Sequence, residues 1–520
     1  MTSSRFRTWS QKFKSGTGVA IHHVRKHVGV GLVCSIAYFD PGNWGVDLQA
    51  GSLFGYHLLF VVLVSGIIAV FLQVLASRLG CVTGLDLASH CRLLLHSHPR
   101  HPKLVRWLAL YPLYALTEVA IISTDLAELL GSAMALCMLF PKLQLWHGIL
   151  ITAGDVLFLL ALKDPLRGRP VRMFEVAMAF LVLAVLICMC IVISRVDVQW
   201  NHAFLGFLPS KNAFSNSAFY TSIGILGATV MPHSLFLGSA LATQDRDSLP
   251  PSVEESRITL FSSSAIFVKR HLYHGIVDMV GSLLGFAVVI NSIILIVSGA
   301  VFFYGSGAGQ EGSVAGLFDA YDLIEVHVGK GAATLFAVSL LAAGQSSSVI
   351  ATIAGQAVAE GFLRWQVSPV VRRLFTRIIA VVPSMAVAIA LGRPGINTLL
   401  VVSQVILSIV LPFVMLPLIY LTTLKKFMAV KRVHTTGVQN ESSPVTTAGP
   451  GIDAEALGVS KVEMVDYSNS LLITIIVCTI WLLVVTADVY VIVTLARGGG
   501  LVLGGDRAYD LRYCHRPLTG

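Results

Sequence analysis

The stretch Ala37-Tyr38-Phe39-Asp40-Pro41-Gly42-Asn43-Trp44 sets an acid, a proline, a glycine and an amide in the middle of an apolar run from 29 to 55. A second stretch, Gly227-Ala228-Thr229-Val230-Met231-Pro232-His233, interrupts the apolar run from 218 to 242 in a comparable way. Proline removes a backbone donor and clashes with the preceding turn, so Pro41 with Gly42, and Pro232 near Gly227, are expected to unwind their helices and free carbonyl oxygens. Broken helices in corresponding places of two halves of a hydrophobic chain point to a binding site at the bilayer midplane.

The rest of the chain supplies the membrane context. Of 520 residues, 55% are hydrophobic and 12% charged, with a mean hydropathy of +0.77. That balance excludes an ordinary soluble domain. Eleven apolar runs are long enough to span: roughly 29–55, 57–77, 104–138, 146–162, 173–194, 218–242, 274–304, 331–357, 374–392, 396–423 and 470–495. Lys and Arg gather after every second run, at Arg78, Arg92, Arg100, Lys103 and Arg106, at Lys163, Arg167, Arg169 and Arg172, at Arg246, Arg257, Lys269 and Arg270, at Arg364, Arg372 and Arg373, and at Lys425, Lys426, Lys431 and Arg432. With Arg25 and Lys26 ahead of the first run, this puts the N-terminus in the cytosol and, the number of spans being odd, the C-terminus outside. The net charge of +9 thus belongs to cytosolic loops and not to a nucleic-acid surface.

The organisation expected is a basic cytosolic segment 1–27, a ten-helix core 28–423 and a flexible cytosolic linker 424–469, followed by an eleventh helix 470–495 and a tail 496–520. The linker, rich in Thr, Ser, Gly and charge, lacks the apolar residues to fold. The core divides into repeats of five spans, 28–194 and 218–423. Because five is odd, the repeats insert with opposite topology. The triplet Asn440-Glu441-Ser442 falls in the cytosolic linker, where it is not glycosylated. Seven of the eight cysteines lie in apolar runs (Cys34, Cys137, Cys188, Cys190, Cys478) or cytosolic loops (Cys81, Cys91), so no disulfide framework is implied. No cleavable signal peptide is read at the N-terminus.

Asp40 and Asn43 are three residues apart and share a side of their helix; Ala228 and Met231 are spaced likewise. A carboxylate, an amide oxygen, a freed carbonyl and a thioether would then meet between the breaks. An acid in mid-span costs about 2.5–3.5 kcal/mol on insertion scales, which calls for a partner or a wet cavity. A metal ion would serve; the alternative is a carboxylate that merely caps the second half-helix. A thioether suits late first-row metals and not Mg2+ or Ca2+, although a methionine on an apolar helix is commonly packing alone. His233 suits a proton relay, or else a neutral histidine bonded between helices. Glu118, Asp125 and Glu128 fall on one face of the third span, where three acids need a cation such as Arg377, exchangeable protons, or both. Gln404, and Gln345 with Ser346, Ser347 and Ser348, are polar groups that could complete a coordination shell, gate a pathway, or bond helix to helix. His90, Cys91, His96, His98 and His101 follow no zinc-type spacing and are not read as a metal site.

Together these motifs resemble the NRAMP family of divalent metal transporters. The resemblance covers roughly residues 28–422 and rests on Asp40-Pro41-Gly42-Asn43, Met231-Pro232-His233, Asp125-Leu126-Ala127-Glu128, Ala343-Gly344-Gln345-Ser346-Ser347, and Ser403-Gln404 with Leu411-Pro412-Phe413. It implies an all-α, LeuT-like fold of inverted repeats with alternating access. It further implies metal held by Asp40, Asn43, the Ala228 carbonyl and Met231, with Gln404 joining in some conformations, and proton cotransport through the acids of the third span, His233 and Arg377. The methionine favours Mn2+ and Fe2+. One departure stands out: where the family usually has a second histidine five residues after the first, this chain has Gly238, which cannot take up a proton.

The reading is therefore a secondary transporter of divalent metal ions and protons in the plasma membrane or an endosomal or vacuolar membrane. It is not an enzyme, needs no resident cofactor or nucleic acid, and can act as a monomer in the lipid bilayer. The rivals are a sodium-coupled carrier of an organic substrate on the same fold, a metal-responsive membrane receptor, and an ion channel. Met231 beside an acid and an amide argues against the first. The second lacks room for a signalling domain, and the third lacks a filter-like motif.

Overall fold

The computed structural model describes residues 29–154, 172–214, 216–244, 265–305, 316–365, 368–435 and 459–496. Arg25, Lys26, Lys163, Arg167, Arg169, Arg246, Arg257, Asn440 and the tail from 497 lie outside them.

The first apolar run is two helices, α1 (Val30–Ile36) and α2 (Pro41–Phe54). Pro41 takes the first helical position, where its missing donor costs nothing, and Asp40 caps the helix by accepting from the Asn43 amide at 2.9 Å. Next come α3 (Leu59–Thr83), the loop helix α4 (Leu87–His96), α5 (Tyr111–Leu139), α6 (Leu145–Ala153) and α7 (Arg172–Ile193). The second interrupted run is α8 (Asn216–Thr229) and α9 (Pro232–Leu241), parted at Val230 and Met231. A long seventh span, α10, starts as Ala265–Ser282 and continues through π turns at Leu283–Val288 and Gly299–Phe303. Then follow α11 (Leu317–His327), α12 (Lys330–Leu363), α13 (Pro369–Ala390) and α14 (Gly392–Thr423). A short antiparallel pair, β1 (Ala429–Thr435) with β2 (Val459–Asp466), precedes α15 (Leu471–Ala496).

Among the described residues nine helices are long and apolar enough to cross a bilayer. The two expected runs not among them are 29–55, whose halves have 7 and 14 residues, and 146–162, described only to Gly154. Helix α5 lies centrally, against α12, α14, α6 and α13 as well as α2. Its close approach to the first break depends on Gly131, where a Cβ would lie 2.0 Å from the Pro41 ring. By contrast α7, α13 and α15 expose large apolar side chains such as Phe180, Phe375 and Leu482, as lipid-facing helices must.

Two expectations are corrected. The segment 424–469 is not unstructured throughout: Ala429–Thr435 pairs with Val459–Asp466, with Val430 opposite Val465. Both strands are rich in valine, a β-branched residue that suits an extended ribbon, and Val433 lies opposite Val462. Arg372 and Arg373, read as cytosolic loop, belong to α13, which begins at Pro369 and not at 374.

Candidate functional site

The two breaks face each other. Asp40 is fully buried and its Oδ1 accepts twice from Asn43, from the backbone amide at 2.9 Å and from Nδ2 at 2.8 Å. The same Asn43 Nδ2 donates to the Ala228 carbonyl at 3.0 Å, so the amide group bridges one break to the other. Asp40 Oδ2 is buried with no hydrogen-bond partner among the described residues. The carboxylate thus caps α2 with one oxygen and leaves the other for a ligand; the two readings of Asp40 do not compete.

Gly42 admits Gln404 to this point. A Cβ on Gly42 would lie 1.8 Å from Gln404 Nε2 and 3.0 Å from Asp40 Oδ2, so the carboxamide occupies the space that glycine leaves beside the acid. Gln404 Nε2 donates to Ser403 Oγ at 3.2 Å, while its Oε1 is buried with no partner among the described residues. Gly227 lets α8 and α14 touch, since a Cβ there would lie 2.7 Å from the Gln404 carbonyl. Two other carbonyls at the first break are already satisfied. Asn291 Nδ2 donates to the Tyr38 carbonyl at 2.8 Å, and Trp44 Nε1 to that of Phe39 at 3.1 Å. Met231, the residue before α9, is fully buried within the apolar core.

A second cluster lies between α5, α12 and α13. Arg373 and Arg377 both pair with Asp125 Oδ1, Arg377 at 3.2 Å, and both donate to Ser348 Oγ. Arg372 holds Glu118 with contacts of 2.6 and 2.7 Å. Ser347 donates to Glu128 Oε1 at 2.7 Å. Arg377 is therefore the partner expected for the acids, but it shares Asp125 with Arg373, and Glu118 goes to Arg372. His233 joins this side of the molecule: its Nδ1 lies 3.4 Å from Thr124 Oγ1, next to Asp125, and its Nε2 is buried without a partner among the described residues. Gln345 Nε2 bonds Ser132 Oγ at 3.2 Å, a helix-to-helix link between α12 and α5. At the first break one further acid was not singled out from the sequence. Asp47, two turns beyond Asp40 on α2, is buried with Oδ2 unpartnered among the described residues; its seven-residue spacing from Asp40 was the available signal.

Among the described residues no three His, Cys, Asp or Glu side chains cluster closely enough to hold a metal. In the histidine-rich loop His90 is buried and bonded to Thr83 Oγ1 at 2.8 Å. At the breaks the donor chemistry present is a mixed set of carboxylate, carboxamide, carbonyl and thioether.

Residues 31–439 match the family described as natural resistance-associated macrophage protein-like, Nramp. The chain belongs to the Nramp family. Its Nramp relatives include the manganese transporter pdt1 of Schizosaccharomyces pombe, 41% identical and covering 91% of this chain and 86% of that one. The iron transporter SMF3 of Saccharomyces cerevisiae is 38% identical, covering 92% and 97%. The divalent metal cation transporter MntH of Nostoc is 41% identical over 77% and 84%. A crystal structure of a mutant Eremococcus coleocola manganese transporter superposes with a TM-score of 0.70 at 27% identity, covering 91% of this chain and 87% of that one. Mhp1, a nucleobase-cation-symport-1 family transporter, shares the fold at a TM-score of 0.50 and 13% identity, covering 80% and 83%. The LeuT-like class expected from the sequence is thus borne out.

Against this Nramp background the departure at Gly238 has a structural counterpart. A Cβ on Gly238 would lie 1.7 Å from Gln73 Nε2. The carboxamide fills the space a side chain would need, and it is held there: Gln73 Nε2 donates to the Ser234 carbonyl at 3.1 Å, and the Tyr38 hydroxyl donates to Gln73 Oε1 at 2.9 Å.

Proposed function

We propose that this chain is a secondary active transporter that moves Mn2+, Fe2+ and similar divalent ions toward the cytosol together with protons, by alternating access. The observation that carries the reading is the convergence of Asp40, Asn43, the Ala228 carbonyl and Gln404 on the space beside Gly42, between two broken helices. The Asn43 amide group sits between two acceptors, Asp40 Oδ1 and Ala228 O, and satisfies both. A divalent cation entering there takes over that electrostatic role, and Asn43 turns to offer its oxygen. The unpartnered oxygens of Asp40 and Gln404 supply further hard donors, and Met231 adds the soft one that disfavours Ca2+ and Mg2+.

Protons take a separate route, along His233, Thr124 and the cluster of Asp125, Glu128, Arg373 and Arg377, with Glu118 and Arg372 at its far end. The names of the relatives, manganese, iron and divalent metal transporters, support the cargo class. We place the N-terminus in the cytosol and the chain in the plasma membrane or an endosomal or vacuolar membrane, with a monomer sufficient. The domain plan remains that of a ten-helix core with α15 added.

The test is Mn2+ uptake into proteoliposomes carrying wild type, Asp40→Ala or Met231→Ala protein, with excess Ca2+ and Mg2+ outside and a pH indicator inside. Uptake with lumenal acidification is expected for wild type, none for Asp40→Ala, and Ca2+ competition for Met231→Ala. Wild type that moves no transition metal under any gradient overturns the reading. Metal uptake without acidification overturns the proton half alone.

A further inference from the structure

The last helix lies outside the ten-helix core expected from the sequence, yet α15 touches two of the helices that deliver groups to the site, α8 and α14. Phe219 of α8 packs edge-on against Tyr490 of α15, ring centres 4.9 Å apart. Ile223 of α8 and Val405 of α14 share an apolar cluster with Ala487 and Val491. Trp481 Nε1 donates to the Pro412 carbonyl of α14 at 3.0 Å. Within this apolar contact sits a carboxyl group. Asp488 is buried; its Oδ1 accepts from Ser408 Oγ at 2.5 Å, and its Oδ2 has no partner among the described residues. An ionisable side chain in a membrane-spanning interface, bonded to one serine, is costly, and its presence there calls for a role.

Ser408 is where that role would act. It lies one helical turn after Gln404, and a Cβ on Gly227 would lie 2.6 Å from Ser408 Cβ, so Ser408 is the point at which α14 rests on the second break. Hydroxyls on helices commonly bond the carbonyl three or four residues back, as Ser384 does to Ala380 at 2.8 Å and Ser403 to Leu400 at 2.6 Å. Ser408 donates to Asp488 instead. Without Asp488, the acceptors of this kind are the Gln404 and Val405 carbonyls, and such back-bonding bends a helix. The bend would fall where Pro412 has removed the amide that otherwise bonds the Ser408 carbonyl.

We propose that Asp488 is a positioning residue: by holding the Ser408 hydroxyl from the last helix it sets the line of α14 against the second break, and with it the reach of Gln404 into the space between Asp40 and Ala228. This inference rests on the reading of Gln404 as a metal ligand.

The test is calorimetric Mn2+ binding to the purified full chain in detergent, with Asp40→Ala, Gln404→Ala, Asp488→Ala, Asp488→Asn and the double variant Gln404→Ala/Asp488→Ala. Asp488→Ala is expected to raise Kd about fivefold, which is roughly 1 kcal/mol at tenfold per about 1.4 kcal/mol. Asp488→Asn keeps an acceptor oxygen for Ser408 and should stay within about twofold of wild type. In the Gln404→Ala background, Asp488→Ala should add nothing. Equal losses for Asn and Ala would show that charge and not position matters, and an undiminished effect without Gln404 would show another route; either overturns the proposal. If Asp488→Ala does not fold, Ser408→Ala removes the same bond and is read in its place. Loss of binding in Asp40→Ala with none of these effects sinks the role of Asp488 alone, whereas unchanged binding in Asp40→Ala sinks the metal reading itself.

Discussion

Gly42→Ala isolates the contribution of Gln404 without touching its helix. Gly42 is the second residue of α2 and does not have a positive φ, so alanine fits the backbone and should favour the helix by about 0.5–1 kcal/mol. The new Cβ would lie 1.8 Å from Gln404 Nε2 and 2.5 Å from its Cδ, so the carboxamide must turn out of the space beside Asp40. A strained rotamer costs about 0.5–1.5 kcal/mol. The two terms nearly cancel, and thermal unfolding in detergent should change little. Metal affinity should not be spared. A polar contact to a charged group is worth about 1.5–3 kcal/mol, so removing the Gln404 oxygen should weaken Mn2+ binding by about tenfold to a hundredfold. Isothermal titration of Gly42→Ala, Gln404→Ala and the double variant decides the matter. The double variant should bind as weakly as Gly42→Ala, and no weaker. An unchanged Kd in Gly42→Ala, with binding lost in Asp40→Ala, would put Gln404 outside the coordination shell. A loss that persists when Gln404 is already alanine would mean that the Cβ acts on Asp40, 3.0 Å away.

Asp125→Asn takes one carboxylate from the buried Arg373 and Arg377, and removing one partner of a buried ion pair costs up to about 3–5 kcal/mol. A clear drop in unfolding temperature is expected, partly recovered by adding Arg373→Met; no drop would mean that the pair contributes nothing to the fold. Gly238→His must displace Gln73 from Ser234 and Tyr38, and should destabilise by about 1–3 kcal/mol as an overpacked site. Adding Gln73→Ala opens the space and should reduce that loss, measured again by thermal unfolding. A single variant as stable as wild type would show that Gln73 does not hold this space.

The breaks were legible because their signal is local. Proline and glycine act on their own backbone, so Pro41, Gly42 and Pro232 announce an interruption without knowledge of any neighbour. From its own run Gln404 was legible as a polar residue that could complete a coordination shell, and only the family resemblance tied it to Asp40; the space it enters depends on Gly42, whose missing Cβ is information about a contact and not about a turn. The arginines mark the limit. Arg372 and Arg373 stand at the start of α13, and a hydropathy window assigns charges at the end of a span to the adjoining loop. The demand for them was nevertheless written elsewhere, in Glu118, Asp125 and Glu128 on one face of α5, which need cations from a neighbouring helix. Arg373 and Arg377 are four residues apart, the spacing that sets two side chains on one helical face. Starting α13 four residues before Arg373 would have paired the two faces. Asp488 had no such complement: its partner is a single serine, and nothing in the spacing of α14 distinguishes Ser408 from the serines that bond their own helix. Buried ionic clusters can thus be matched by periodicity on both sides, whereas a lone acid held by one hydroxyl becomes visible only when the helices are packed.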